Sequence, residues 1–93
     1  MKHKLLKSAA FVRAAKRLVK KDPQAAADLQ ATLELLTEDA FYPTLKTHKL
    51  KGDLANCWAC SAGYDLRIVF EFIQHEGVEA ILLLSAGTHD EVY

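Results

Sequence analysis

Proline, cysteine and tryptophan are scarce in this chain of 93 residues: two, two and one, with four glycines. So few breakers leave room for long regular elements rather than a loop-rich scaffold. The cysteines, Cys57 and Cys60, stand three apart and staple nothing, so a reducing cytoplasm is the simplest expected setting. No run of about 18 apolar residues exists, which excludes a membrane-spanning helix at the level of sequence. The first residues, Met1-Lys2-His3-Lys4-Leu5-Leu6-Lys7, lack the apolar core of a signal peptide. A net charge is lacking too. What is present is a 51% hydrophobic composition, that of a globular protein, in a length suited to one domain over 1–93. A chain of this size buries roughly 60–65% of its unfolded surface, enough for a single core.

The neutral sum hides an uneven layout. Residues 1–21 carry eight Lys and Arg and no acid, and residues 22–45 carry five acids and no base. Three lysines fall in 46–51, and 52–93 hold seven acids against Arg67 alone. Two basic blocks can form a local patch for a polyanion, or simply a solvated helix face.

The clearest pattern is Tyr64-Asp65-Leu66-Arg67-Ile68-Val69-Phe70-Glu71-Phe72. Leu66, Ile68, Phe70 and Phe72 alternate with Asp65, Arg67, Val69 and Glu71, which predicts a strand with one core face. The other face places Asp65 and Arg67 side by side as the floor of a site. Upstream, Ser8 is a suitable N-cap, and Phe11, Ala15, Leu18 and Val19 recur at helical spacing. Asp22 and Pro23 cap and open a second helix, whose apolar stripe is Ala26, Leu29, Leu33 and Leu36. The short break between them predicts an antiparallel helix hairpin over 8–38, lying on the Leu66/Phe72 face. Lys2–Lys7 is a candidate first strand. Pro43 keeps Glu38–Thr44 a loop, Lys46–Gly52 is extended and basic, and Cys57–Ser61 is a strand that turns at Ala62-Gly63. A second turn is expected at Gln74–Gly77, followed by an inner strand from Ala80 to Ser85 that Gly87 breaks. The expected fold is a two-layer α+β arrangement, a helix hairpin on a small antiparallel sheet.

Several residues can carry chemistry. Cys57-x-x-Cys60 looks like half a zinc or redox site, but no second ligand pair exists, and residues three apart in a strand point to opposite faces. Buried, inert thiols are expected instead. His3 and His75 fall near a terminus and in a turn. His48 and His89 fall at strand ends, where sites tend to be built, and imidazole exchanges protons near neutral pH.

Lys46-Thr47-His48-Lys49-Leu50-Lys51-Gly52, then Gly63-Tyr64-x-Leu66-Arg67-Ile68-Val69-Phe70, then Gly87-Thr88-His89-x-Glu91-Val92-Tyr93 occur in that order. Together they resemble the RelE/ParE superfamily of bacterial type II toxin–antitoxin toxins, nearest the YafQ type. The resemblance spans nearly the whole chain. It implies a ribosome-dependent, metal-independent and cofactor-free mRNA endonuclease that inhibits translation in the cytoplasm. Its implied partners are a cognate antitoxin, the ribosome and mRNA. The catalytic set it implies is His48, Asp65, Arg67, His89 and Tyr93. His89 matches a general acid and Asp65 or His48 a base, while Arg67 steadies the phosphate and Tyr93 stacks on a base or orients the phosphate. Lys46, Lys49, Lys51 and Ser61 form the RNA-binding set. Ser61 stands where the YafQ pattern has a further histidine, and the C-terminus has Asp90 and Glu91 where the RelE branch is basic. Two other functions share this fold: a ParE-like gyrase inhibitor without nuclease chemistry, and an inactive homologue that only binds antitoxin.

Overall fold

The structure, a computed structural model, describes residues 2–52 and 56–92. Ser8 starts the first helix as expected. Its hydroxyl accepts the Phe11 N–H at 3.0 Å, and helix α1 runs Ala9–Lys21. Lys20 and Lys21 end it, where positive charge complements the helix dipole. The turn is tight. The Asp22 N–H closes α1 on the Leu18 carbonyl at 2.8 Å, and the Asp22 carboxylate accepts the Gln24 N–H at 3.1 Å as α2 begins, Gln24–Glu38.

Both helices lie on one face of a five-stranded sheet of order β1-β5-β4-β3-β2. The strands are β1 (Lys4–Lys7), β2 (His48–Lys49), β3 (Trp58–Ala62), β4 (Leu66–His75) and β5 (Val78–Thr88). The expected meander is present in β3, β4 and β5, and β2 adds a fourth antiparallel strand. The sheet is not wholly antiparallel: β1 pairs in parallel with β5, Leu5 opposite Ile81. The chain leaves β1 into the helix layer and comes back through the meander, so β1 and β5 run the same way.

The core lies between the layers. Phe11, Ala14 and Leu18 of α1 and Ala25, Leu29 and Leu36 of α2 meet Ile68, Phe70, Ile81 and Leu83 of the sheet, all buried. Leu33, expected in this set, is only half-buried at its edge. Ala25 takes the place expected of Ala26, which is exposed, because α2 packs on a stripe of Ala25, Leu29, Thr32 and Leu36. Thr32 is tolerated there because its hydroxyl donates to the Asp28 carbonyl at 2.7 Å.

Two turns differ from expectation. Gln74 and His75 belong to β4, and only Glu76 (φ 53°) and Gly77 (φ 81°) form the loop. Two left-handed residues in a row make the kind of two-residue hairpin that matches strand twist. Gly87 does not end β5, which continues to Thr88. Gly87 pairs with Arg67 and Thr88 with Leu66, and upstream of them lies a β-bulge: Phe70 faces Leu83 while Val69 faces Ser85, so Leu84 is the extra residue. Beyond it Ala86, not Ser85, faces the helices, opposite Ile68.

The sheet face away from the helices carries a smaller apolar cluster of Leu50, Cys57, Ala59 and Val69, against which Leu84 and Val92 pack. A four-residue helix, α3 (His89–Val92), brings Val92 there. Among the described residues no helix is long and apolar enough to cross a membrane.

Candidate functional site

Register decides which candidate residues meet. Ser61 is opposite Arg67, and Arg67 is opposite Gly87, forming one row across β3, β4 and β5 on the face away from the helices. Gly87 brings no side chain beside Arg67. The next row on that face is His48, Ala59, Val69 and Ser85. His48 and Arg67 therefore share a face, with backbones about 12 Å apart by strand spacing, a gap that two long side chains and a phosphate can bridge.

His48 is exposed on the edge strand, and its Nδ1 lies 3.0 Å from the Lys46 carbonyl. A carbonyl only accepts, so Nδ1 carries the hydrogen and, in the neutral ring, Nε2 the lone pair. Lys46 makes this contact from a left-handed conformation, φ 52°, as it closes a 3-10 turn over Pro43–Leu45. Leu45, buried below, and the Thr47 hydroxyl, donating to the Ala40 carbonyl at 2.6 Å, pin the segment. Lys46, Lys49 and Lys51 are all exposed along it.

Past the end of β5, His89 opens α3 with its N–H donating to the Asp65 carbonyl at 2.9 Å. Its Nδ1 lies 3.7 Å from the Asp90 carboxylate. Asp65 departs from expectation. It sits in the turn before β4, exposed, and lines a cavity on the helix side. Strand alternation therefore does not set it beside Arg67, because β4 starts at Leu66. Arg67 itself is half-buried, and its guanidinium donates to the Leu66 carbonyl at 2.9 Å. Tyr93 lies outside the described residues.

The cysteines separate as their spacing requires. Cys57 joins the small outer cluster and Cys60 the main core. Burial pushes the Cys60 thiol up to about 12, against the smaller opposing pull of an Ile68 backbone hydrogen bond and of Arg67. Burial also raises Cys57, helped by the charge of Glu71. Such thiols stay protonated and unreactive at neutral pH. Sequence reasoning missed the cavity beside Asp65, which α1 lines with Arg17 and Lys21. Their i, i+4 spacing on one helix face was the available signal.

A sequence profile described as "Bacterial toxin of type II toxin-antitoxin system, YafQ" matches residues 3–93. The chain belongs to the YafQ family. YafQ from E. coli strain BL21(DE3) superposes with a TM-score of 0.78 over 98% of each chain, at 15% identity. In the E. coli DinJ-YafQ toxin-antitoxin complex the match is 0.76 at 16% identity, over 100% of this chain and 99% of the other. A "YoeB/ParE toxin" from Agrobacterium tumefaciens gives 0.75 at 16% identity, over 92% and 98%. At these identities the likeness is one of fold. No curated protein sequence matches the chain. For this YafQ-family toxin, the two helices on a mixed five-stranded sheet are thus the family's frame. Ser61, Arg67 and His48 sit on its helix-free face.

Proposed function

We propose that this toxin is a ribosome-dependent mRNA endonuclease that needs no metal, and that a cognate antitoxin holds it inactive. The observation that carries the reading is the grouping of Arg67, Ser61 and His48 on the helix-free sheet face, with His89 anchored at its end by the Asp65 carbonyl. Cleavage without a metal needs a base, an acid and positive charge on the phosphate. The 2′-hydroxyl loses its proton to the base as its oxygen attacks the adjacent phosphorus. The 5′-oxygen leaves with a proton from the acid, and a 2′,3′-cyclic phosphate remains. His48, with its lone pair on Nε2, suits the base, and Asp65 at the rim is the other candidate. His89 suits the acid. Arg67 supplies charge to the phosphate, and Ser61 a hydrogen bond in place of a third histidine. Lys46, Lys49 and Lys51 hold the RNA backbone, contacts that position without reading sequence. Tyr93 supplies a stacking ring.

The DinJ-YafQ complex of E. coli supports an antitoxin as partner. An antitoxin segment that folds on binding would cover the helix-free face and the 46–51 lysines. The test is in vitro translation with primer extension on the message. Cuts that appear only with ribosomes present support the reading. Blocked gyrase supercoiling with intact message replaces it with the ParE-like activity, and neither effect leaves an antitoxin-binding homologue.

A further inference from the structure

The cavity beside Asp65, about 480 Å³, lies on the helix side of the sheet end that carries His89. That is within the range of pockets that enclose small molecules, roughly 300–1,000 Å³. Its floor is apolar, from Leu18, Ala25 and Leu66, and Arg17 and Lys21 stand on its α1 wall. Asp28 of α2 lines it too, and is half-buried. Among the described residues its carboxylate has no hydrogen bond or ion pair; only its backbone carbonyl is engaged, by Thr32. A carboxylate at the cavity wall that no described side chain engages can accept hydrogen bonds from a molecule entering the cavity. The opposing turn is shaped around it. Gly63 has φ +83°, and a β-carbon there would stand 2.8 Å from Asp28 Oδ2. Tyr64, next in that turn, is 99% exposed.

We propose that this cavity is a guanine subsite. The base lies on the apolar floor, its N1–H and N2–H donate to the two Asp28 oxygens, and Lys21 and Arg17 face the attached phosphate. Guanine is the one RNA base that offers two adjacent donors on one edge. Adenine and cytosine place an acceptor beside their amino group, and uracil flanks its single N–H with two carbonyls. An apolar lining and an exposed tyrosine suit a base, which can stack on an aromatic ring. The cavity adjoins the cleavage site, since Asp65 lines it and holds His89, and Thr88 lines it too. This assignment rests on the endonuclease reading and adds a base preference beside the cut.

The test titrates the isolated toxin with 3′-GMP, 3′-AMP, 3′-CMP and 3′-UMP while backbone amide resonances are followed. Expected are shifts at Gly63, Tyr64 and Thr88, with 3′-GMP bound on the order of tenfold tighter than the others, as for a bidentate side chain–base pair. Asp28→Asn should erase that preference. Should that variant misfold, Lys21→Gln serves instead, weakening all four nucleotides alike and leaving the preference. Equal shifts for all four, or shifts confined to the Ser61–Arg67 row, overturn the subsite. The outcome is separable from the fate of the endonuclease reading. A toxin that binds 3′-GMP here yet never cuts message on ribosomes keeps the subsite and loses the nuclease. One that cuts message but binds no nucleotide here does the reverse.

Discussion

His89→Gln keeps the size and the backbone contact to Asp65 but removes the titrating proton. A positioned acid is worth about 10²–10⁴ in rate, so single-turnover cleavage on programmed ribosomes should fall by that order while ribosome binding survives. His75→Gln, at the distal hairpin, is the control and should change little. Unchanged cleavage in His89→Gln removes it from the acid role, and an equal loss of binding makes it an RNA ligand. Gly63 is a second residue whose role is local. Its φ of +83° is strained for any side chain, and a methyl group would press on Asp28. Gly63→Ala should destabilise the fold by about 1–3 kcal/mol in urea unfolding, whereas Gly52→Ala, with open space around it and the same sign of φ, should cost only the backbone part.

Elements are held by single contacts at their ends. The Ser8 hydroxyl both caps α1 and donates to the Leu84 carbonyl at 3.2 Å, tying the helix start to the bulge of β5. Ser8→Ala should lower stability by about 0.5–2 kcal/mol, read from the denaturation midpoint, with Ser8→Asp restoring part of it as an alternative cap. Recovery of nothing in Ser8→Asp would place the loss in the contact to Leu84 rather than in the cap. The bulge is the element that sequence patterning did not reveal. An unbroken run from Ala80 to Leu84 has no polar residue to mark a change of phase, so a two-residue period and a bulged strand read alike. Its consequence is spatial: it sets Ala86 under the helices and Gly87 beside Arg67.

Over the whole molecule, the buried thiols make stability depend on alkaline pH. Cys60 is raised from 9.0 to about 12 in the folded chain, mainly by burial. Below pH 9 both folded and unfolded chains hold the proton, and its contribution is complete. Between pH 9 and about 12 the unfolded chain releases the proton first, so stability falls as pH rises. The stability advantage of the wild type over Cys60→Ala should therefore shrink through this window, in urea titrations at stepped pH. A constant difference would mean that Cys60 contributes packing alone. The folded toxin should also resist thiol reagents at pH 8, since both thiols are raised by burial.

Local periodicity determined much of this fold on its own. The Ser8 cap, the Asp22-Pro23 break and the alternation from Leu66 to Phe72 each encode an element through nearest-neighbour sterics and hydrogen bonding. Their apolar faces then leave one way to bury them, a helix pair on a sheet. The motif order carried the family. Tertiary structure alone decided what depends on register between distant strands: the parallel β1–β5 pair, the bulge at Leu84, and the row of Ser61, Arg67 and Gly87 with His48 on the same face. It also decided the position of Asp65. Strand alternation sets a side chain's direction only where the strand exists, and Asp65 lies one residue before it, in a turn shaped by Gly63 and by its hydrogen bond to His89.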